Sequence, residues 1–474
     1  MSTFPLVFPV TCHTDCVGIG STFVAIQGMQ NNGVDFISLA LERGAKTIVV
    51  QQDVQLSHQI MHEMSGKQAT LIRVENTRKA LAELSAQALN HPSKKLKIIA
   101  ITGTKGKTTS TFLIEHLLRT LGHKTALLST VHNKIVDTIF TTQLTTQQPD
   151  YLHVFLQQCV EENVEYVVME VAAQALSLDR VHGIEFDAIL FTNFDREHGE
   201  FYSTMEDYFQ AKCSLFNQRK NNGPVFINLD DAWCSPLAEK YSDFLSFSLQ
   251  DQHATFHVSQ MTYTLRGMQG YLYNDSNKIP FSSALIGVFN AYNILGALAV
   301  CNVLGHSLDN LVSALTAFYS VPGRMELIDM PNGARACIDY AHNPSSCSSV
   351  LSALRALSEN IIVVCGAGGD RDKTKRPIMG ALAVQYADFV IFTSDNPRSE
   401  DPADIIKEMM LGVEEQMVSK VSIELDREVA IKKAYELSGE KTIIALLGKG
   451  PDHYQIIQGQ KIYFNEKEIL KNLS

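Results

Sequence analysis

The chain has 474 residues, of which 45% are hydrophobic and 19% charged, and its formal net charge is −11. This length predicts several domains, and the acidic balance argues against a nucleic acid as the main partner, since phosphate backbones require a basic face. No apolar run approaches the ~18 residues of a membrane-spanning helix, and the first residues lack the features of a secretory signal. Nine scattered cysteines are typical of reduced thiols. We therefore expect a cytoplasmic multidomain protein without a membrane span.

The first part of the chain, residues 1–95, alternates short apolar runs with helical patterns. Its predicted elements are a strand over 21–26, a helix over 33–43, a strand over 47–50 and a helix over 76–89. The stretch over 90–95 is rich in turn-forming and charged residues, which is typical of a linker. These patterns predict a small α/β domain.

A glycine-rich turn follows the next apolar run. The run ends at Thr102, and the turn and helix start comprise Gly103, Thr104, Lys105, Gly106, Lys107, Thr108 and Thr109. Backbone N–H groups of such a turn converge on a phosphate at the positive end of the helix. Lys107 can then reach the outer phosphates, and the Thr108 hydroxyl can bind Mg²⁺. The standard P-loop has a further glycine where Ile101 stands, so an ordinary strand–turn–helix is the alternative to a nucleotide site.

Two later apolar runs also end in polar residues. The run over 166–171 contains Glu170 near its end, and the run over 188–192 leads into a polar cluster that includes His198. A carboxylate at the end of a strand beside a P-loop is where a nucleotide enzyme holds its metal. The alternation of strands and helices predicts a mostly parallel, doubly wound sheet.

The last part of the chain, residues 324–474, contains three strand–loop units. The strand-ending loops begin at Gly366, Asp395 and Gly448. The carboxyl ends of parallel strands meet at one sheet edge, so we expect the three loops to form one ligand site. The glycine-rich loop after 365 has no acidic ribose-binding residue at the right distance, which argues against a dinucleotide-dependent oxidoreductase.

Several motifs, in this order, resemble the Mur ligases, which join amino acids to peptidoglycan precursors with ATP. They are the turn at 103–109, M-E-V at 169–171, T-N-x-x-R-x-H at 192–198, Y-F-Q-A-K at 208–212, F-N-A-Y-N at 289–293, P-G-R at 322–324, D-Y-A-H-N-P at 339–344 and G-G-D-R-D-K at 368–373. The segments D-N-P-R at 395–398 and G-K-G at 448–450 are most similar to the MurE group. The resemblance implies three α/β domains: a UDP-sugar (acceptor) domain over 1–95, an ATP-binding P-loop domain over 96–323 and a Rossmann-like amino-acid domain over 324–474.

The resemblance also implies the chemistry, in which ATP converts an acceptor carboxylate into an acyl phosphate that an amine attacks. The implied catalytic residues are Lys107, Glu170, His198, Lys212 and Arg324. The implied Mg²⁺ ligands are Thr108, Glu170, His198 and Lys212, the last after carbamylation by CO₂. An ordinary lysine is a cation at pH 7 and would repel Mg²⁺, whereas a carbamate is an anion. Without the resemblance, Lys212 would be interpreted as a helix-surface lysine.

Further residues are assigned to ligands by the same resemblance. Asn290 and Asn293 would contact adenine, and Arg324, Asp339 and His342 would reach the nucleotide when the domains close. Thr145, Thr146 and Arg180 would line the acceptor site. The amino-acid site would comprise Arg376, Asp395, Asn396, Arg398, Gly448 and Asp452. The D-N-P-R form is associated with meso-diaminopimelate, because a guanidinium matches its second carboxylate in a bidentate pair.

The chain departs from the family pattern in three places. The pattern E-V-S-S-H becomes Glu170-Val171-Ala172-Ala173-Gln174, D-S-R becomes His13-Thr14-Asp15, and G-K-G-H-E ends in Pro451-Asp452. Two ligase functions therefore remain open: addition of meso-diaminopimelate to UDP-MurNAc-L-Ala-D-Glu, or amide formation on a different carboxylate. A non-catalytic nucleotide-binding regulator is a third interpretation, which four retained residues disfavour: Lys107, Glu170, His198 and Lys212. We expect a monomer with small-molecule substrates.

Overall fold

A computed structural model describes residues 4–28, 31–142, 144–197, 199, 201–274 and 277–473. The chain divides into two compact units. The first extends through His257 and includes Tyr292–Ala314, and the second comprises Val258–Ala291 and the chain from Leu315 onward. Among the described residues, no helix is long and apolar enough to cross a membrane.

The N-terminal segment forms a four-stranded parallel sheet with the strand order β1-β2-β3-β4. Its elements are β1 (Val10–Thr11), β2 (Thr22–Val24), α1 (Ile37–Glu42), β3 (Thr47–Gln51), α2 (His58–Gly66), β4 (Thr70–Val74) and α3 (Thr77–Ala88). The predicted helix over 33–43 is a 3₁₀ turn at Gly33–Phe36 that continues into α1. The predicted helix over 76–89 is confirmed as α3, where the Asn76 side chain accepts hydrogen bonds from the first turn.

The middle segment forms a larger sheet with the order β12-β11-β10-β5-β9-β6-β7-β8. Its strands are β5 (Lys97–Thr102), β6 (Thr125–Leu128), β7 (Asn133–Ile135), β8 (Thr138–Phe140), β9 (Tyr166–Glu170), β10 (Ala188–Phe191), β11 (Val225–Asn228) and β12 (Leu245–Ser248). Its helices are α4 (Lys107–Thr120), α5 (Pro149–Glu161), α6 (Ala173–Ser177), α7 (Met205–Cys213) and α8 (Ser235–Lys240). The strands from β12 to β6 are parallel, and β7 and β8 are antiparallel.

The register of this sheet aligns the ends of three strands. Ile101 of β5 pairs with Glu170 of β9, and Thr102 of β5 pairs with Phe191 of β10. Apart from Lys97 at the start of β5, these strands are buried, as expected of a parallel sheet covered on both faces. The glycine-rich turn, Glu170 and the residues after Phe191 therefore emerge side by side at one edge.

An antiparallel hairpin and two helices follow. They are β13 (Phe256–Thr264), β14 (Gly267–Asn274), β15 (Asn277–Ser283), α9 (Val288–Val303) and α10 (Leu308–Leu315). Strand β13 pairs with β12 at Phe256 and His257, and β14 pairs antiparallel with β15.

The C-terminal segment forms a sheet with the order β16-β17-β21-β18-β19-β20, in which only β16 runs antiparallel among the described strands. Its strands are β16 (Glu326–Asp329), β17 (Arg335–Asp339), β18 (Asn360–Cys365), β19 (Phe389–Phe392), β20 (Val421–Ile423), β21 (Thr442–Leu447), β22 (Tyr454–Ile457) and β23 (Gln460–Tyr463), the last two forming a separate hairpin. Its helices are α11 (Pro344–Arg355), α12 (Lys375–Tyr386), α13 (Pro402–Met410), α14 (Arg427–Glu436) and α15 (Glu466–Lys471). One apolar cluster contains residues of α11, α12 and α13, and another contains residues of α14 and α15. The predicted doubly wound fold is thus confirmed.

Candidate active site

The glycine-rich turn joins β5 to α4 in a conformation that requires its glycines. Gly103 has a φ of +136°, and a Cβ there would lie 2.0 Å from Oγ1 of Thr192. Gly106 has a φ of +80°, and a Cβ there would lie 2.3 Å from Oδ1 of Asn293. A side chain at either position would be strained and would clash, so the turn keeps its backbone open toward the start of α4.

The Lys107 ammonium group lies back over this turn. Its Nζ donates to the carbonyl oxygens of Gly103 and Thr104, both at 2.9 Å. The next two residues of α4, Thr108 and Thr109, are buried. A cation held over converging backbone N–H groups is an arrangement that binds phosphate.

The two residues that follow β10 clamp the turn. Asn193 uses both ends of its amide, accepting from the backbone N–H of Lys105 at 2.9 Å and donating to the carbonyl of Lys105 at 3.1 Å. Thr192 donates to the same carbonyl at 2.6 Å. The N–H of Thr104 donates to the carbonyl oxygen of Asn193 at 2.9 Å. These contacts hold the turn in place between β5 and α4.

Glu170 is buried at the end of β9 beside the turn. Its Oε1 accepts from the backbone N–H of Thr130 at 2.8 Å, and its Oε2 accepts from the Thr130 hydroxyl at 3.1 Å. Thr145 lies 3.1 Å from that hydroxyl, and Thr146 donates to the carbonyl oxygen of Glu170 at 2.9 Å. Arg180 donates to the carbonyl of Thr146 at 2.9 Å. The predicted acceptor residues and Glu170 therefore form one connected group.

Lys212 of α7 is buried against the turn, with 1% of the residue exposed. Its Nζ donates to the carbonyl of Gly103 at 2.7 Å and lies 4.6 Å from the centre of the Tyr208 ring. Burial, and to a smaller extent the charge of Lys107, lower the pKa of Lys212 well below its ordinary value. Burial therefore disfavours the charged form of Lys212 relative to an exposed lysine, and the neutral amine is the nucleophilic form of a lysine.

The hard oxygen donors needed for Mg²⁺ are present in part. Glu170 supplies a carboxylate and Thr108 a hydroxyl, and both types suit Mg²⁺. The predicted ligand His198 lies outside the described residues. Within the described ranges, no cluster of three or more His, Cys, Asp or Glu side chains is arranged to bind a metal. The donors present thus fit a metal whose remaining ligands are phosphate oxygens, water or a modified lysine.

The two predicted adenine contacts are both buried on α9. Asn293 lies against the turn, because its Oδ1 faces Gly106 and accepts from the Ser110 hydroxyl at 3.4 Å. Asn290 donates to the carbonyl of Ile286 at 2.8 Å.

In the second unit, Asp339 organises the turn that contains Arg324. Its two carboxylate oxygens accept from the N–H groups of Met325 and Ala341, both at 2.8 Å. Burial raises the pKa of Asp339, although Arg324 opposes this shift. The Arg324 guanidinium lies 4.9 Å from the centre of the Tyr340 ring, and the His342 ring is exposed beside it.

The loops after β18, β19 and β21 meet as expected. Lys449 is fully buried, donates to Oδ1 of Asn396 at 2.9 Å and lies 3.7 Å from the carboxylate of Asp395. Arg398 is half-buried and donates from Nη1 to the carbonyl of Gly369 at 2.7 Å. Gly448 has a φ of +113°, and a Cβ there would lie 2.7 Å from Asp395.

Two carboxyl groups, those of Asp395 and Asp452, lie in this loop cluster beside Lys449. Burial raises the pKa of Asp452, and Lys449 opposes the shift. Asp395 is buried, and its Oδ1 has no hydrogen-bond partner among the described residues. Such a buried and incompletely satisfied carboxylate can accept a hydrogen bond from a ligand ammonium group.

Comparisons with known proteins agree with this geometry. Residues 10–88, 101–301 and 323–450 match, in order, the catalytic domain of the Mur ligase family, the Mur ligase middle domain and the Mur ligase glutamate ligase domain. A protein of Clostridium botulinum named UDP-N-acetylmuramoyl-L-alanyl-D-glutamate--2,6-diaminopimelate ligase is 36% identical, over 96% of this chain and 92% of the relative. This chain belongs to the Mur ligase family. A Geobacillus kaustophilus protein of the same name is also 36% identical, over the same shares of the two chains.

Solved structures confirm the three-domain architecture of this Mur ligase. A diaminopimelate ligase structure is 28% identical, with a TM-score of 0.69 over 98% of this chain and 94% of the other. MurF of Thermotoga maritima in complex with ADP is 18% identical, with a TM-score of 0.65 over 100% of this chain and 98% of the other, and supports the fold alone. As a Mur ligase, the protein is an ATP-dependent amide ligase that uses Mg²⁺.

One predicted substrate residue of the Mur ligase is engaged within the protein. The Arg376 side chain is fully buried and pairs with Glu400 and Glu408, each at 2.8 Å, and it donates to the carbonyl of Gly368 at 3.2 Å. These hydrogen bonds lower the pKa of Glu400 to about 2. These ion pairs and hydrogen bonds connect Arg376 to the loops around it, and its direct contact with the amino acid stays a prediction.

Sequence reasoning missed two residues of the nucleotide end. In the sequence, Asn193 stands only as part of the motif at 192–198, and Thr130 has no predicted role. The signal for Asn193 was its place directly after a buried strand, where loops contact ligands or each other. Nothing local distinguishes Thr130, because its contact with Glu170 joins two strands that are distant in sequence.

Proposed function

We propose that this Mur ligase adds meso-diaminopimelate to UDP-MurNAc-L-Ala-D-Glu, with ATP converted to ADP and phosphate. The observation that carries this proposal is 36% identity over 96% of the chain to relatives named for that reaction. The loop that contains Arg398 and the buried carboxylate of Asp395 also supports it, because diaminopimelate carries a second ammonium group and a second carboxylate. The predicted segments 1–95, 96–323 and 324–474 would bind the acceptor, ATP and the amino acid, respectively.

The nucleotide end supports the first chemical step. The acceptor carboxylate oxygen attacks the γ-phosphorus of ATP, the bond to the β-phosphate oxygen breaks, and ADP leaves. Lys107 and the backbone N–H groups at the start of α4 would hold the phosphates during this transfer. Thr108, Glu170 and the predicted His198 would hold Mg²⁺, which offsets the negative charge of the reacting groups when it is bound.

Lys212 fits the predicted carbamate. Its neutral amine would attack CO₂, form a nitrogen–carbon bond and lose a proton, which leaves an anionic carbamate. Nζ lies 2.7 Å from the carbonyl of Gly103, so the carbamate would lie beside the phosphate-binding turn. A buried cation there would instead be unfavourable next to Lys107.

The second step joins the amine to the acyl phosphate. The amine nitrogen attacks the activated carbonyl carbon, phosphate leaves, and the nitrogen loses a proton. Arg398 would pair with the distal carboxylate of diaminopimelate, while Asp395 and Asp452 would accept from its distal ammonium group. The nucleotide contacts of Arg324, Asp339 and His342 stay predictions from the resemblance.

A second candidate is a ligase of this type with a different acceptor carboxylate. It is favoured by the ion pair between Asp15 and Arg43 at 2.6 Å, which places an anion where the family pattern has a cation. It is also favoured by Ala172 and Ala173, which lack the hydroxyls of the pattern. Ala172 precedes α6 without a side-chain cap.

Phosphate release from ATP distinguishes the candidates. The assay contains Mg²⁺ and bicarbonate, a panel of amino acids, and either UDP-MurNAc-L-Ala-D-Glu or other carboxylic acids. Release that needs both the UDP-dipeptide and diaminopimelate supports the first proposal. Release with another acid, but none with the UDP-dipeptide, supports the second.

A further inference from the structure

A buried ion pair lies behind the loops of the amino-acid site. Arg427 is the first residue of α14, and Glu466 is the first residue of α15. The Arg427 side chain is 0% exposed and that of Glu466 is 2% exposed. Nε of Arg427 donates to Oε1 of Glu466 at 2.8 Å, and Nη2 lies 2.8 Å from the same oxygen.

The remaining contacts of this guanidinium are with the ends of two strands. Nη2 donates to the carbonyl of Leu447, the last residue of β21, at 2.9 Å. Nη1 lies 3.5 Å from the carbonyl of Ser394, which directly precedes Asp395. The loop of Lys449 starts one residue after Leu447. A single planar group therefore joins the starting points of two loops of the amino-acid site.

We infer that Arg427, neutralised by Glu466, is a positioning residue that sets the spacing of these two loops for the incoming amino acid. This inference rests on the proposed function, because it takes the loops of Asp395 and Lys449 to be the amino-acid site. Arg427 touches neither the substrate nor the reacting atoms.

The geometry of the loops explains why their spacing matters. Lys449 donates to Asn396, and Gly448 approaches Asp395 so closely that a Cβ would lie 2.7 Å away. A small separation of the strand ends would break these contacts and leave buried charges without partners, which is costly. The guanidinium suits this role because its rigid fork of donors reaches several acceptors at once, which a lysine ammonium on a flexible stem does not.

The test compares Arg427→Lys with the double variant Arg427→Met/Glu466→Gln, which removes both charges together. A matched control is Arg355→Lys. Arg355 also donates to two backbone carbonyls, those of Tyr386 and Glu359, and pairs with Asp388, which precedes β19. We expect the KM for the amino acid to rise about 10-fold or more in both Arg427 variants, with the KM for ATP unchanged. Arg355→Lys should leave both constants unchanged.

Hydrogen exchange of the folded proteins gives a readout without substrates. Exchange at 395–398 and 448–450 should be faster in Arg427→Lys than in the wild type, with no change at 103–109. In one outcome, exchange is faster in Arg427→Lys while the wild-type protein shows no phosphate release that depends on the amine. That result would support the role of Arg427 in spacing the loops and would reject the proposed function. An unchanged amino-acid KM or unchanged exchange in a folded Arg427 variant would overturn the inference. Loss of folding in both variants would identify an ordinary stabilising pair and would overturn it as well.

Discussion

The two candidate ligand sites, one in each compact unit, are built differently. The nucleotide end is one contiguous turn, residues 103–109, held by hydrogen bonds between its backbone and the uncharged side chains of Thr192 and Asn193. The amino-acid end is assembled from three loops that side-chain charges hold together, through Arg376, Lys449 and Arg427. The first design depends on glycine conformations and neighbouring strand ends, whereas the second depends on buried charges finding their partners.

The difference is clearest for the two arginines that the sequence assigns to one role. Arg376 lies fully buried in ion pairs with Glu400 and Glu408, whereas Arg398 is half-buried and donates to two carbonyl groups, at 2.7 and 3.4 Å. The same residue type therefore supports stability at one position and remains available to a ligand at the other.

The largest expected effect is at the nucleotide end. Lys212→Ala removes the buried amine beside the turn, and with it the predicted carbamate, so turnover should fall by about 1000-fold or more. The measurement is phosphate release with bicarbonate and Mg²⁺ present. The control is Lys240→Ala, which changes an exposed lysine at the end of α8 and should retain the wild-type rate. Normal turnover by Lys212→Ala would remove the carbamate from the proposal.

Arg376→Ala should mainly reduce stability. It removes the hydrogen bonds of Arg376 to Glu400 and Glu408, which keep Lys373 as a partner, and should cost about 1.5–3 kcal/mol. The free energy of unfolding can be measured by urea titration followed by circular dichroism. Arg398→Ala serves as the comparison and should change that free energy by less than about 1 kcal/mol. Equal losses in the two variants would contradict the difference drawn between these arginines.

Arg398→Ala should instead weaken substrate binding. Loss of a charge-assisted hydrogen bond costs about 1.5–3 kcal/mol, which corresponds to a rise of about 10- to 100-fold in the amino-acid KM. The KM for ATP should stay within about two-fold, because the P-loop is formed by a separate part of the chain. Steady-state kinetics with each substrate varied in turn tests this. Similar increases in both constants would count against the role of Arg398.

The smallest expected effect concerns the pH response of the first unit. His153 is buried on α5, its Nδ1 has no hydrogen-bond partner among the described residues, and burial lowers its pKa to about 4. His153 binds a proton more readily in the unfolded chain than in the folded protein. Its contribution to the free energy of unfolding is therefore fully present above the ordinary histidine pKa and is lost as the pH falls toward 4. The loss between pH 7 and pH 5 should be about 2 kcal/mol.

Urea unfolding followed by the fluorescence of Trp233, the single tryptophan, measures this response. His153→Leu should make the stability less dependent on pH in this range. His62→Gln, at an exposed histidine of α2, should leave the dependence unchanged. An unaltered pH dependence in His153→Leu would show that other groups are responsible.

Much of the fold follows from local patterns in the sequence. Continuous apolar runs predicted β5, β9 and β10 because strands of a covered parallel sheet are buried on both faces. The helix over 33–43 was less well predicted, since its first part, Gly33–Phe36, forms a 3₁₀ turn. The amphipathic pattern indicates which face is buried, but it does not distinguish a 3₁₀ turn from a turn of α-helix.

The sequence by itself determined the glycine-rich turn, the succession of strands and loops along the chain, and membership of the Mur ligase family. These features depend on residues that are contiguous in the chain. Only the tertiary structure decided that Asn193 clamps the turn, that Arg376 is buried in ion pairs and that Arg427 joins two loops. Those contacts connect residues that are far apart in sequence, and strand order and register decide which of them meet. Once two charges are buried together, their pairing is enforced by the free energy of leaving either one without a partner.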